Sequence, residues 1–278
     1  MIGSLYTAIS GLGANTAAMT VVGDNIANVS TPGFKSSSIL FANIMNESLG
    51  GGSAASPGAG VAVAGITAQW NQGSLEPTGN PTDLAISGRG FFQVRDGGAA
   101  GTDLVYTRAG NFGFDASGYL TNPEGLLVQG YDVSGGPVAT PPAAVPVNIQ
   151  VDLTAAATHR SYNMEEDGIV SGINIATGNR DNLWQVALYD FPNLQGLTKK
   201  GGNLYAQSNA SGLPLVATGG FSGAAGMGKI SSGNIEKSNV DLATEFTKLI
   251  VTQKAFQANA KVITTSDEIL TALIQAKR

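Results

Sequence analysis

The chain has 278 residues, room for one large or two small domains, with 38 glycines, 13% charged residues and a net charge of −5. That balance, with no Lys/Arg cluster, argues against a nucleic-acid surface, and the absence of cysteine excludes disulfides and thiolate metal sites. No stretch is apolar for long enough to span a membrane, and Met1-Ile2-Gly3-Ser4-Leu5-Tyr6 lacks the positive start and apolar core of a cleaved signal peptide.

The first element is a helix. Leu5, Ile9, Leu12, Thr16, Met19, Gly23 and Ile26 recur in steps of four and three, the seam of a coiled coil. Asp24 is the only charge between Met1 and Phe34, and the outward positions are Ser, Thr, Asn, Ala and Gly. A solvated helix carries charges on its outer face, so this one is expected to lie among other helices. Ser30-Thr31-Pro32-Gly33 stops it near Asn28, with Pro32 fixing φ and Gly33 free to take φ > 0. Ser37 to Ser48 reads as a short helix with Leu40, Phe41, Ile44 and Met45 on its apolar side, followed by a Gly/Ser linker from Gly50 to Gly58.

From Gly60 the period changes to two, with Val61, Val63 and then Ile66. Strands are expected at Phe91–Arg95, Leu104–Thr107, Phe112–Phe114, Leu127–Val133, Val147–Leu153, Ile169–Ile175 and Trp184–Phe191. Turns are expected at Asp96-Gly97-Gly98, Asp115 to Gly118, Asn122 to Gly125, Ser134-Gly135-Gly136 and Asp167-Gly168. Short strands punctuated this way predict an antiparallel β domain rather than βαβ units. Pro137 to Pro146 is a Pro/Ala linker within it, and Gly219 to Gly228 is a second small-residue stretch.

The last element, Val240 to Lys277, repeats the seam of the first. Leu242, Phe246, Leu249, Gln253, Phe256, Ala260, Ile263, Asp267, Leu270 and Ile274 alternate four and three, with only Gln253 and Asp267 breaking the apolar run. Ser238 with Asp241 three residues on reads as a variant capping box. The fold class that follows is α+β: N- and C-terminal helices paired as a coiled coil, with an antiparallel β-rich domain between them. The helical domain takes residues 1–35 and 236–278, a connecting region 36–80, and the β domain 81–235.

Few residues invite an enzymatic reading. His159 is the only histidine, has no orienting partner nearby in sequence, and reads as an exposed loop residue. Glu165-Glu166-Asp167 reads as a solvated turn rather than a cation site. Gly223 to Lys229 approaches a phosphate-binding loop, but Ile230 stands where Ser or Thr is required. No catalytic, cofactor or metal site is expected, and the reading is of a non-enzyme. A secreted β-rich adhesin or an enzyme with a β-sheet site needs no helical seam at both chain ends, whereas an assembling subunit does.

Three separated motifs resemble those of bacterial flagellar rod and hook proteins. The first is Asn25-Ile26-Ala27-Asn28-Val29-Ser30-Thr31-Pro32-Gly33-Phe34-Lys35. The second is Gly88-Arg89-Gly90-Phe91-Phe92, with Tyr106 to Phe112 and Asp115 to Leu120 beyond it. The third is Ser238-Asn239-Val240-Asp241-Leu242, then Glu245, Gln253, Phe256, Thr265 and Asp267. Gly60 to Thr67, Val128-Gln129-Gly130-Tyr131 and Ala187 to Phe191 look most like the hook member of the family, while the length is close to that of the distal rod member.

The resemblance implies a short hook protein, with the distal rod as the alternative. It implies a homopolymer whose terminal helices line an inner tube and whose β domain lies outside, with the small-residue arms as hinges. The expected subunit interface is Leu5, Ile9, Leu12, Met19, Ile26, Leu242, Phe246, Leu249, Phe256, Ile263, Leu270 and Ile274. The family-motif residues are Asn25, Ala27, Asn28, Thr31, Gly33, Phe34 and Lys35, with Asn25, Asn28 and Thr31 capping locally or cross-linking helices. The implied partners are distal rod, hook cap and hook–filament junction proteins and the flagellar type III export apparatus, with no nucleic acid and no membrane insertion. The implied location is the extracellular flagellum, reached without a cleaved signal peptide. Phe41 and Met45 fit the family's short Phe-x-x-x-apolar export motif.

Overall fold

A computed structural model describes residues 2–45, 58–96, 104–134, 146–153, 157–215, 220, 222–223 and 226–276. The chain divides into two compact units, each discontinuous in sequence. One comprises Met1–Val29, Lys35–Gln69 and Val240–Arg278; the other comprises Ser30–Phe34 and Trp70–Asn239. Of the linkers expected at Gly50–Gly58 and Pro137–Pro146 all but Gly58 and Pro146 lie outside the described residues, as do 219, 221, 224 and 225 of the stretch Gly219–Gly228.

The first unit contains helix α1 (Ile2–Ala27), strands β1 (Ser37–Met45) and β2 (Gly58–Ala68), and helix α2 (Leu242–Ala276). The nearly uncharged α1 turns its hydroxyls onto itself: Thr7, Thr16 and Thr20 each donate to the carbonyl four residues back. At 35 residues α2 is about 52 Å long. Its N-cap is Asp241, whose carboxylate accepts from the Ala243 and Thr244 amides at 3.2 and 3.3 Å and from the Thr244 hydroxyl. The capping box expected from Ser238 is thereby corrected: the side chain that can reach the N2 and N3 amides is the one next to the first helical residue.

The helix expected at 37–48 is also corrected. Residues 37–45 form β1, paired antiparallel with β2 from Ser37 opposite Ala68 to Met45 opposite Gly58, with irregularities after Leu40 and Ile44, and 46–48 lie outside the described residues. Short apolar runs do not distinguish strand from helix by period alone, and here the alternating small and branched residues of β2 supply the partner. The hairpin docks on α1. The Val61 amide donates to Ser10 Oγ at 3.2 Å, and a Cβ at Gly60 (φ +114°) would collide with that hydroxyl.

The second unit carries β3 (Leu75–Pro77), β4 (Leu84–Ser87), β5 (Phe91–Arg95), β6 (Leu104–Thr107), β7 (Gly113–Phe114), β8 (Leu120–Thr121), β9 (Leu127–Asp132) and β10 (Val147–Asn148). It continues with β11 (His159–Met164), β12 (Ile169–Asn174), β13 (Arg180–Val186), β14 (Leu188–Tyr189), β15 (Thr198–Gly201), β16 (Leu204–Ala206), β17 (Lys229–Ser232) and β18 (Asn234–Glu236). The main sheet runs β11-β12-β13-β9-β5-β6-β16-β15, and β17 pairs with β4 and β18 with β3, every pairing being antiparallel.

Two apolar clusters are fed by alternate residues of the same strands. Phe92, Val94, Val105, Val186 and Leu188 enter one; Phe91, Tyr106, Ala187, Tyr189 and Phe191 enter the other. Burial on both faces explains the unbroken apolar run Val186-Ala187-Leu188-Tyr189. The turn at Asp115 forms as its sequence dictates: Oδ1 accepts from the Ser117 and Tyr119 amides, and Gly118 has φ +80°.

Candidate assembly surface

The two terminal helices pack antiparallel, and two contacts fix their register. Asn25 Nδ2 donates to Glu245 Oε2 at 3.1 Å, and a Cβ on Gly11 would stand 2.6 Å from Asn259 Nδ2. Both contacts are fourteen residues, two heptads, apart on each helix. The same count sets Ala18 opposite Thr252. The stripe that α1 buries is Ala8, Gly11, Ala14, Ala18, Val21, Val22 and Asn25. It lies about a third of a turn from the expected seam at 3.6 residues per turn.

The inner stripe of α2 is Glu245, Leu249, Thr252, Phe256, Asn259, Ile263, Ser266 and Leu270. Leu249, Phe256, Ile263 and Leu270 are half-buried members of the expected seam. Their stripe partners are polar residues, each one position before an expected one. Sequence reasoning left them out of the seam because it searched for apolar residues, although Glu245 stood among the motif residues. The available signal was a seven-residue recurrence of small residues at Ser4, Gly11, Ala18 and Asn25, matched by Glu245, Thr252, Asn259 and Ser266. Small residues on one helix admit Leu and Phe from the other at close approach.

The remaining expected seam residues face elsewhere. Leu5, Leu12, Met19 and Ile26 are half-buried, whereas Ile9, Leu242, Phe246 and Ile274 are exposed. Beside them α2 exposes Ile250 (58%), Val251 (63%), Ile269 and Leu273. Several large apolar side chains left exposed on one helix are a feature of interaction faces. No described helix is long and apolar enough to cross a membrane.

The motif around the first turn divides between local and long-range roles. Asn25 is buried and bridges three segments. It exchanges two 2.8 Å hydrogen bonds with the Ser37 backbone as well as bonding Glu245, whose other oxygen accepts from Lys248 Nζ at 2.6 Å. Asn28 acts locally, donating to the carbonyl and carboxylate of Asp24. Ala27 is the last residue of α1, and Thr31 O accepts from the Phe34 amide. Lys35 is buried, and Phe41 and Met45 fall on β1, where Phe41 is exposed.

In the second unit Gly33 has φ +67°, and a Cβ there would lie 2.5 Å from the Ala109 nitrogen. Its amide donates to the Glu236 carbonyl at 2.7 Å, and the ammonium of Lys199 lies 5.8 Å from the centre of the buried Phe34 ring. The Glu236 carboxylate is fully buried. It accepts from the Gly73 amide at 2.9 Å and pairs with Arg108 at 3.3 Å. Arg108 also donates to the Gly88 carbonyl and stacks 5.2 Å from the Phe91 ring centre. Burial pulls its guanidinium below the ordinary value, with Glu236 opposing.

His159 is not in a loop. It opens β11 and bonds Asp181 at 3.1 Å and Thr158 at 2.9 Å. The bonds from Asn174 and then His159 hold the Asp181 carboxyl below its usual range. Glu165 to Asp167 does make the turn between β11 and β12, with Glu165 paired to Arg180 at 3.0 Å. Lys229 and Ile230 begin β17 rather than a helix, so the phosphate-loop geometry does not arise. Among the described residues no three acidic or histidine side chains cluster as metal ligands do.

A chain with paired terminal helices and a β-rich middle is matched along its length by three family profiles. They are the flagella basal body rod protein over residues 5–35, the flagellar hook protein FlgE/F/G D1 domain over 85–172, and the flagellar basal body rod FlgEFG protein C-terminal over 231–276. The flagellar basal-body rod protein FlgG of Bacillus subtilis is 37% identical over 288 aligned residues that take in all of both chains. FlgG of Buchnera aphidicola (Schizaphis graminum strain) is 34% identical, covering 99% of this chain and all of that one. The flagellar hook protein FlgE of Borreliella burgdorferi is 26% identical across a 449-residue alignment. The chain belongs to the flagellar rod and hook protein family, whose members are structural, polymeric parts of the flagellar axis.

Proposed function

We propose that the chain is a distal rod subunit of the flagellar basal body. This is the alternative in the sequence reading and displaces its hook assignment. The observation that carries it is the end-to-end match to FlgG proteins in alignments of about the chain's own length, 288 residues against 278, whereas hook relatives align over 449 and 471 residues and need long insertions. The motifs that looked hook-like, Gly60 to Thr67 and Ala187 to Phe191, lie on β2 and around β14, outside the three matched family segments.

In this reading copies of the chain polymerise through the apolar helix faces that one subunit leaves uncovered. Leu242, Phe246 and Ile274 on α2 and Ile9 on α1 meet neighbouring copies, joined by the outer edges of Leu5, Leu12, Met19 and Ile26. The subunit leaves the cell through the flagellar export apparatus, with Phe41 and Met45 as part of its export signal. Hook and further rod proteins then adjoin the finished segment.

Electron microscopy of basal bodies from a strain lacking the gene tests the assignment. Rods that stop short of their distal segment are the expected result. Complete rods carrying no hook would restore the hook assignment.

A further inference from the structure

We infer that the Asn25–Glu245 hydrogen bond sets the register of the antiparallel helix pair. The rest of the seam repeats every seven residues with little to tell one heptad from the next. On α2, Leu249, Phe256, Ile263 and Leu270 form one row and Thr252, Asn259 and Ser266 the other. The facing residues of α1, Ala8, Gly11, Ala14 and Ala18, are all small, with Val21 and Val22 only in the last heptad before Asn25. Sliding one helix past the other by a heptad, about 10 Å at 1.5 Å per residue, keeps large residues against small ones.

The pair at the end of the seam is its one buried bond between a carboxylate and an amide side chain. Glu245 is 4% exposed and Asn25 1% exposed. A one-heptad slip sets the Glu245 carboxylate against Ala18, or carries it past the end of α1. It also sets the Asn25 amide against Thr252, or past the start of α2. Either slip takes the buried Glu245 carboxylate away from its Asn25 donor and leaves it only Lys248 of its own helix, and burying a carboxylate oxygen without a donor is costly. Asn25 is itself held by the two bonds to the Ser37 backbone, so the lock ties α2 to a fixed point on the hairpin rather than to α1 alone. A single polar pair that fixes register in an otherwise repetitive apolar seam is a known use of buried polarity.

The chain contains no cysteine, so engineered thiol pairs report register unambiguously. The experiment uses the full chain as a dilute monomer, with intramolecular disulfides scored by gel mobility and mass. The in-register pair is Ala18→Cys with Thr252→Cys; the slipped pairs are Ala18→Cys with Asn259→Cys and Gly11→Cys with Thr252→Cys. With Asn25 and Glu245 intact, only the in-register pair should close. Glu245→Leu leaves the Asn25–Ser37 bonds in place and should raise closure of the slipped pairs at least fivefold. Glu245→Thr, which copies Thr252 and makes the seam uniform, should do the same, while Glu245→Gln, which retains an acceptor, should not. In-register closure unchanged in a folded Glu245→Leu or Glu245→Thr chain, with helix content intact by circular dichroism, would overturn the inference.

Discussion

Gly11 on α1 and the Asn259 side chain on α2 approach so closely that a Cβ on Gly11 would lie 2.6 Å from Asn259 Nδ2 and 3.0 Å from Cγ. Gly13, two residues on, has nothing within 4 Å of such a Cβ. Glycine in a helix costs up to about 1 kcal/mol relative to alanine. Gly13→Ala should therefore raise stability by roughly 0.5–1 kcal/mol. Gly11→Leu, which must push α2 away, should lower it by about 1–3 kcal/mol. Urea denaturation followed at 222 nm on the two variants checks the contrast, and equal effects would contradict the packing.

The buried Arg108–Glu236 pair holds β18 against the strands around Phe91. Removing one partner of such a pair costs about 3–5 kcal/mol, because the other charge stays buried. Arg108→Met should therefore destabilise the β unit severely. Adding Glu236→Gln to Arg108→Met should recover part of the loss, since the carboxylate is no longer stranded while the Gly73 amide keeps an acceptor. A double-mutant cycle in guanidinium chloride measures the coupling; additive effects would dismiss it.

At Gly33 the constraint is on the backbone as well as on space. Gly33→Ala combines a φ of +67° with a Cβ 2.5 Å from the Ala109 nitrogen. A loss of about 1–3 kcal/mol is expected, read as a lower melting temperature of the β unit.

Acid should weaken the start of α2. The hydroxyl of Thr244, then the Ala243 amide, hold the Asp241 carboxyl below the ordinary range. A depressed folded pKa contributes stability that is present above the unfolded value and lost as pH falls through the folded one. Melting curves of the native chain and of Asp241→Asn should therefore converge as pH drops below about 4, the usual carboxylate range. Curves that stay parallel would show that the cap does not depend on charge.

Alkali should act on the aromatic cluster. Burial pushes Tyr131 and Tyr205 up to about 12, and it raises Tyr106 and Tyr189 as well. A folded pKa above the unfolded value contributes stability below the unfolded pKa that is lost as pH rises through the folded one. Phenolate absorbance at 295 nm from these four tyrosines should rise only above pH 10, the usual phenol value, together with loss of β structure. One smooth transition near 10 would indicate that the cluster is open to water.

Much of this architecture was written in local sequence. Seven-residue periodicity at both ends gave the helices, and period-two patterning gave β5, β6, β9 and β12 nearly to the residue. Gly33 and Gly118 announced turns because only glycine takes φ > 0 at no steric cost. These features depend on a residue and its near neighbours. What tertiary structure decided was which helix faces meet: Glu245, Thr252, Asn259 and Ser266 are polar, and nothing local marks them as buried. They lie inside because Asn25, Ala18 and Gly11 arrive opposite them from the far end of the chain, offering a donor or leaving room. Likewise 37–45 is a strand because β2 is there to pair with it, and Glu236 is buried because Arg108 meets it 128 residues away. A polar group goes inside only when a distant partner satisfies it, and that partnership exists in space before it can be read in sequence.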